Sequence, residues 1–256
     1  MNVSTSRLAL ELAVQDAAGA AVARTAGADR VELCSALSAT GGITPTLGLI
    51  EAVVGEGLPV QVLIRCRPGP FVYGAAEVAV MARDAALAIE AGAAGVVFGA
   101  LTAGNLVDVE AMARVRDAAR AANQAAQFTC HRAMDVVIGA GRAAAAIQTL
   151  RELGTTRVLT SGGAATSAAG VAVLRDLVAW AEGDLEVMAG GGVRPDDIAA
   201  LAGCGVSAVH LSAKASTVVV GAAAGPGGGT DNTIDVTSPA IAQAAAAAVA
   251  AVNATR

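Results

Sequence analysis

Gly27-Ala-Asp-Arg-Val31 joins the end of one helical stretch to the start of an apolar run, and the same joint recurs along the chain. Gly92-Ala-Ala-Gly-Val96, Gly154-Thr-Thr-Arg-Val158 and Gly205-Val-Ser-Ala-Val209 each place a glycine, three residues and a valine in that order. A helix ends readily on glycine, because the residue after the last turn favours the left-handed conformation that only glycine adopts without strain. A strand then begins at once. Short helix-to-strand joints repeated in this way mean alternating β and α elements around a parallel sheet.

Working outward from these joints, periodicity predicts eight strands: Leu8–Val14, Arg30–Cys34, Val60–Arg67, Ala94–Gly99, Gln127–His131, Arg157–Ser161, Glu186–Gly190 and Ala208–Ser212. Helical stretches follow, among them Ala75–Ala91, Val109–Ala122, Gly141–Leu153 and Ala168–Glu182. Eight such units in 256 residues predict a single α/β domain, a (β/α)8 TIM barrel over 1–256. The alternative is an open doubly wound sheet, but no Gly-x-Gly-x-x-Gly follows the first strand. Residues 221–235, rich in glycine and alanine, read as a mobile loop. Ser238-Pro239 then caps a closing helix over Ala240–Val252.

Composition narrows the partners. The net charge is −5 and no basic patch stands out, which argues against nucleic acid and anionic membrane surfaces. Cys34, Cys66, Cys130 and Cys204 show no zinc-ligand spacing, and a chain of this size needs no disulfide staples. Met1–Ser6 lacks a signal-peptide pattern, and Ala240–Val252 is too short to span a bilayer. A cytoplasmic protein is expected, and a homo-oligomer.

The parity within each strand places the site. In a barrel the outer face of every strand lies under helices, so the apolar parity points out and the other parity points to the axis. That rule turns Val31 and Leu33 outward and sends Glu11, Glu32, Cys34, Arg65, Arg67, His131 and His210 inward, mostly near the C-terminal strand ends where barrel active sites lie. Glu11 and Glu32 are candidates for general acid and base, since burial or a neighbouring carboxylate raises one pKa. Salt-bridged structural carboxylates are the other reading. Arg65 and Arg67, two apart, either bridge those glutamates or clamp an anionic substrate. His131, followed by Arg132 and three residues on by Asp135, completes a polar cluster where a strand gives way to a loop. His210 is either structural or a substrate contact.

Two loops add donors. Gly190-Gly191-Gly192 follows the seventh strand, and Ser212-Ala213-Lys214, with the only lysine, follows the eighth. Backbone N–H groups at these loops form the usual phosphate cradle of this fold. Schiff-base chemistry finds no lysine on the sixth strand. A divalent ion on Glu11 or Glu32 with His131 and His210 would draw on histidines of distant strands.

The motifs Gly27-Ala-Asp-Arg-Val-Glu-Leu-Cys34, Gly41-Gly-Ile-Thr-Pro45, Ile64-Arg-Cys-Arg67 with Phe71 and Tyr73, Val97-Phe-Gly-Ala-Leu101, His131-Arg-Ala-Met-Asp135, Arg157-Val-Leu-Thr-Ser-Gly162 and Met188-Ala-Gly-Gly-Gly-Val193 together resemble the CutC family, in order from Glu11 to Lys214. The resemblance implies a TIM barrel, a cytoplasmic location and a link to copper homeostasis, with Cu(I) binding through cysteine thiols. Ala13 stands where family members often have a cysteine, which leaves Cys34 as the one inward thiol and the candidate Cu(I) ligand. Two functions follow: a copper-handling protein, or an enzyme acting on a small anionic or phosphorylated metabolite by acid/base chemistry.

Overall fold

The computed structural model describes residues 7–218 and 232–256. Eight strands, β1 (Ala9–Val14), β2 (Arg30–Leu33), β3 (Val60–Leu63), β4 (Gly95–Phe98), β5 (Gln127–Cys130), β6 (Arg157–Thr160), β7 (Glu186–Gly190) and β8 (Ala208–Leu211), close in sequence order into a parallel barrel. Helices α1 (Ala17–Ala26), α2 (Leu37–Thr40), α3 (Leu47–Val54), α4 (Ala75–Glu90), α5 (Val109–Ala122), α6 (Ala133–Gly139), α7 (Ala143–Glu152), α8 (Val171–Ala181) and α9 (Ile198–Ala202) connect them. The fold is therefore the (β/α)8 barrel that the joints predict. Gly27 ends α1 at φ 87°, with its N–H on the carbonyls of Ala23 and Arg24. The expected turn chemistry is thus present at the joint that sets the pattern.

The apolar parity faces out. Val31 and Leu33 are fully buried in the large cluster beneath the helices, with Leu10, Leu12, Val62, Val96 and Val209. Inside the barrel there are only two small apolar groups, Cys34–Leu63–Val97 and Leu159–Met188–Ala208. The floor of the interior is otherwise polar and largely paired, with Gln61 Oε1 left without a partner. Arg157, 1% exposed, gives its Nε to Glu186 at 2.7 Å and an Nη to Thr129 at 3.1 Å. Gln61 donates to Gln127 at 2.9 Å, and a Cβ at Gly95 would lie 2.4 Å from the Gln61 side-chain oxygen. Gly95 thus makes room for this floor.

The chain after β8 differs from expectation. Residues 219–231 lie outside the described residues, but β9 (Lys214–Val218) and β10 (Thr233–Thr237) pair antiparallel. The loop expected at 221–235 therefore ends early, because Thr233, Ile234, Val236 and Thr237 supply a β-branched run. The closing helix α10 (Pro239–Asn253) is capped by Ser238, whose hydroxyl accepts from the Ile241 N–H. Among the described residues no helix is long and apolar enough to cross a membrane.

Asn253 ties α10 to the barrel floor. Its side chain accepts from the Leu8 N–H at 2.8 Å and donates to the Leu8 carbonyl at 3.0 Å. Asn253→Ala leaves both backbone groups without this partner and should cost about 1–2 kcal/mol in urea unfolding. An unchanged midpoint would mean that water replaces the clamp fully.

Candidate functional site

The site grows from the register of β1 with its two neighbours. Glu11 lies opposite Arg30 of β2 and opposite His210 of β8, so all three side chains enter the barrel at one level. Arg30 donates its Nε to Glu11 at 2.5 Å, and His210 Nδ1 lies 2.8 Å from the other carboxylate oxygen. On its far side, His210 Nε2 lies 3.3 Å from Glu32. One imidazole thus bridges two buried carboxylates.

The two carboxylates titrate apart. Burial opposes the charge on Glu11, but the bond from His210 and the charges of Arg30, His210 and Arg157 outweigh it and hold the group down at about 2. Burial pushes Glu32 up to about 7, helped by the charge of Glu11 and opposed by that of His210. His210 pays the same desolvation, yet its bond to Glu11 and the two carboxylates raise its pKa. Near neutral pH Glu11 is an anion and Glu32 exchanges a proton with its surroundings, while the balance at His210 is shifted towards the imidazolium.

Glu32 opens onto a cavity of about 370 Å³ at the C-terminal mouth. His210, Cys34, Arg65, His131, Arg132, Gly191, Gly192, Ser212 and Lys214 line it too, with Leu37, Leu63, Phe71 and Leu159 as apolar wall. Most of the residues predicted from parity are thus brought together. Several sit elsewhere. Glu11 lies beneath the cavity, 1% exposed, and orients His210 rather than facing a ligand. Arg67 does not reach it: its guanidinium pairs with Glu77 at 2.5 Å, donates to the carbonyls of Pro70 and Val72, and stacks 5.0 Å from the Tyr73 ring. The loop after Arg65 has turned away from the strand, so the two-residue spacing no longer sets a shared face. Gly190 is also below the cavity, where a Cβ would meet Leu159 at 2.3 Å. Asp135 faces the sixth loop, accepting from Thr160 Oγ1 and from the N–H groups of Ser161 and Gly163. It pairs with Arg132 at 2.7 Å. Lys214 is held by Ser38 at 3.0 Å and Asp235 at 3.3 Å at the rim.

Arg65 and His131 form the opposite wall. Arg65 bridges neither glutamate; its Nη groups donate to the carbonyls of Thr40, Gly42 and Gly69. Its Nε makes no well-formed hydrogen bond, and the buried Tyr73 hydroxyl interacts with the same guanidinium. His131 accepts from the Ala133 N–H through Nδ1 at 3.1 Å, which puts the ring proton on Nε2, and that atom is buried without a partner. Burial and then the charge of Arg65 pull His131 down to about 4, so it is neutral at physiological pH. Phe71 packs against both, 4.7 Å from the His131 ring and 5.3 Å from the Arg65 guanidinium carbon. Gly99 is the spacer that admits the imidazole, since a Cβ there would lie 2.5 Å from it.

The chain matches the model of the CutC family over residues 8–215. It belongs to the CutC family. The CutC family protein of Sinorhizobium medicae is 42% identical over 212 residues, 82% of this chain and 83% of its own. That of Agrobacterium fabrum is 42% identical over 207 residues, 80% of this chain and 79% of its own. Among solved structures, the CutC protein of Streptococcus agalactiae, named for copper homeostasis, superimposes with a TM-score of 0.72 at 30% identity, over 80% of this chain and 98% of that one. The thiamine phosphate pyrophosphorylase of Pyrococcus furiosus, at 16% identity and a TM-score of 0.57 over 97% of this chain and 98% of its own, shares the fold alone.

Metal binding can be weighed on the donors present. Among the described residues, Glu11, Glu32 and His210 are the one set of three whose ligand atoms lie within 4.8 Å of one another. These oxygen and imidazole donors do not suit Cu(I), and Arg30 already holds one oxygen of Glu11. Cys34 is the only cysteine lining the cavity, and burial followed by the charge of Glu32 pushes its thiol well above the usual range. The residues present therefore do not make a Cu(I) thiolate site by themselves.

Three contributors escaped the sequence reading: Arg30 as partner of Glu11, Gly99 as spacer and Ser38 at the rim. Parity turns His210 inward, but its bridging of two carboxylates, like the role of Arg30, follows from strand register, which parity alone does not supply.

The raised Glu32 pKa predicts a pH effect. A carboxyl whose folded pKa is raised stabilises the fold below its unfolded value, and this is lost as pH rises through the folded value. Glu32→Gln should therefore gain stability relative to the native chain between pH 4.5 and above 7, the window set by the ordinary value and about 7. The gain should be about 3 kcal/mol at most. Parallel denaturation curves at pH 5 and pH 8 check it; a constant difference would place the Glu32 pKa at an ordinary value.

Proposed function

We propose that this CutC-family protein is an enzyme that holds a small anionic metabolite at the barrel mouth and moves a proton with Glu32. The observation that carries this reading is the pairing of a buried carboxyl titrating near 7 with a buried arginine that no carboxylate neutralises, in one cavity. A general base works best when its pKa lies near the operating pH. A permanently charged guanidinium out of water favours an anion beside it. The cavity volume suits a small metabolite. Arg65 receives the anionic end; Gly191, Gly192, Ser212 and Lys214 offer donors across the mouth for a second anionic group such as a phosphate. Arg132 extends the positive rim.

Copper homeostasis is attached to the family by name, and Cu(I) binding through Cys34 is the second reading. One thiol, held protonated, is a poor Cu(I) site, because the ion prefers two or more soft ligands. Competition with a Cu(I) chelator should give weak binding that Cys34→Ser leaves unchanged. A tight stoichiometric site lost in that variant would favour the copper reading.

The enzyme reading is tested by thermal shift with 2-oxo acids, 2-hydroxy acids and sugar phosphates. Binding at a hundredfold excess over Kd stabilises the fold by about 2.7 kcal/mol. Arg65→Lys should weaken the hits. Affinity should also fall as pH rises through about 7, because ionised Glu32 then repels the ligand, and Glu32→Gln should flatten that dependence. A protein indifferent to every anion would overturn the reading.

A further inference from the structure

We propose that the reaction is proton abstraction from a carbon next to a carbonyl, with His131 Nε2–H as the donor to the enolate oxygen and the Arg65 guanidinium as the positive charge in the same wall. This rests on the reading above and names the substrate class: a 2-oxo acid or a 2-oxo phosphate ester. An N–H donor buried without a partner costs roughly 1–3 kcal/mol, so each one needs a reason. His131 Nε2 is such a donor, on a 6% exposed residue of the cavity wall, and Phe71 packs against both it and Arg65. The Ala133 N–H fixes the His131 tautomer by occupying Nδ1, so the free nitrogen is the one that carries the proton. Gly99 holds a place open for that ring.

The chemistry matches this donor to Glu32. His131 follows β5 and Glu32 lies on β2, nearly across an eight-stranded barrel, so a small molecule between them meets a base on one side and an N–H donor on the other. The Glu32 carboxylate takes a proton from the carbon; the C–H electron pair forms the C=C bond, and the carbonyl oxygen becomes an enolate oxygen. A neutral imidazole donates to that oxygen without losing its proton, and the guanidinium supplies charge. Return of the proton from Glu32 to carbon closes the cycle, and no co-reactant is consumed. His131 Nε2 is out of contact with water in the free protein, so the wall beside it must open for the carbonyl oxygen.

The test is wash-in of solvent deuterium, followed by proton NMR in D2O, with pyruvate, 2-oxobutanoate, 2-oxoglutarate and dihydroxyacetone phosphate. The native protein should accelerate loss of the C–H signal of at least one above buffer. Glu32→Gln, nearly isosteric, should abolish exchange while that compound still gives a thermal shift. His131→Phe should slow exchange by roughly a hundredfold, and His131→Gln, which keeps a side-chain N–H, should recover part of it. Compounds that bind but never exchange would overturn the enolate proposal and leave the anion reading standing; absence of both binding and exchange would overturn both. Equal exchange in His131→Phe and His131→Gln would remove His131 from the oxyanion subsite.

Discussion

The buried Glu11 carboxylate sets the arrangement of everything above it. Its position follows from strand register alone: β2 presents Arg30 to it and β8 presents His210. A buried carboxylate needs compensation on all its lone pairs, and these two neighbours supply it. Because Glu11 stays ionised it favours the His210 imidazolium, and that ring is the group Glu32 faces. Removing Glu11 would leave Arg30 unpaired in the barrel and free the imidazole to turn. The acid at the bottom therefore governs the acid at the top without touching a ligand.

The barrel interior divides along its axis. Below, Arg157, Glu186, Gln61, Gln127 and Thr129 bond to one another, with Gln61 Oε1 left over, so that level is closed. Above, charged groups line a cavity instead, and His131 Nε2 is a buried donor without a partner. A largely paired floor beneath an open, charged mouth is the arrangement of a ligand-binding layer over a structural layer.

The fold was legible in the sequence because glycine joints and strand parity are local signals. Val31 and Leu33 face out as alternation requires, Glu32 and His210 reach the cavity for the same reason, and Arg65 and His131, within two residues of the ends of β3 and β5, still follow it. Parity failed where the strand ended. Arg67 lies beyond β3, in a segment whose path is fixed by Glu77 and by the carbonyls of Pro70 and Val72, so its alternation with Arg65 carries no information. Depth within the barrel was not legible either. Glu11 and Glu32 look equivalent as inward glutamates, but register puts the first level with His210 and the second two residues higher along the barrel. Asp135 shows the same limit: its partners Thr160, Ser161 and Gly163 lie on another strand end and are invisible to local spacing.

Charge across the cavity is also ordered. Glu32 and the protonated Cys34 thiol lie on the β2 side, and the charge of Glu32 helps keep that thiol from ionising. Arg65 and the rim residue Arg132 lie towards β3 and β5, and the charge of Arg65 helps keep His131 neutral. Each wall thus suppresses ionisation of its own second group: no thiolate forms beside the glutamate and no imidazolium beside the arginine. A metal cation drawn to the β2 side would meet a single reluctant thiol and a carboxyl half protonated near neutral pH. An organic anion meets the reverse: a fixed positive charge for its anionic end, a neutral donor beside it, and a base within the same cavity. The field that discourages a thiolate metal site is the one that orients a polar, negatively charged metabolite, and both follow from which strand carries which charge.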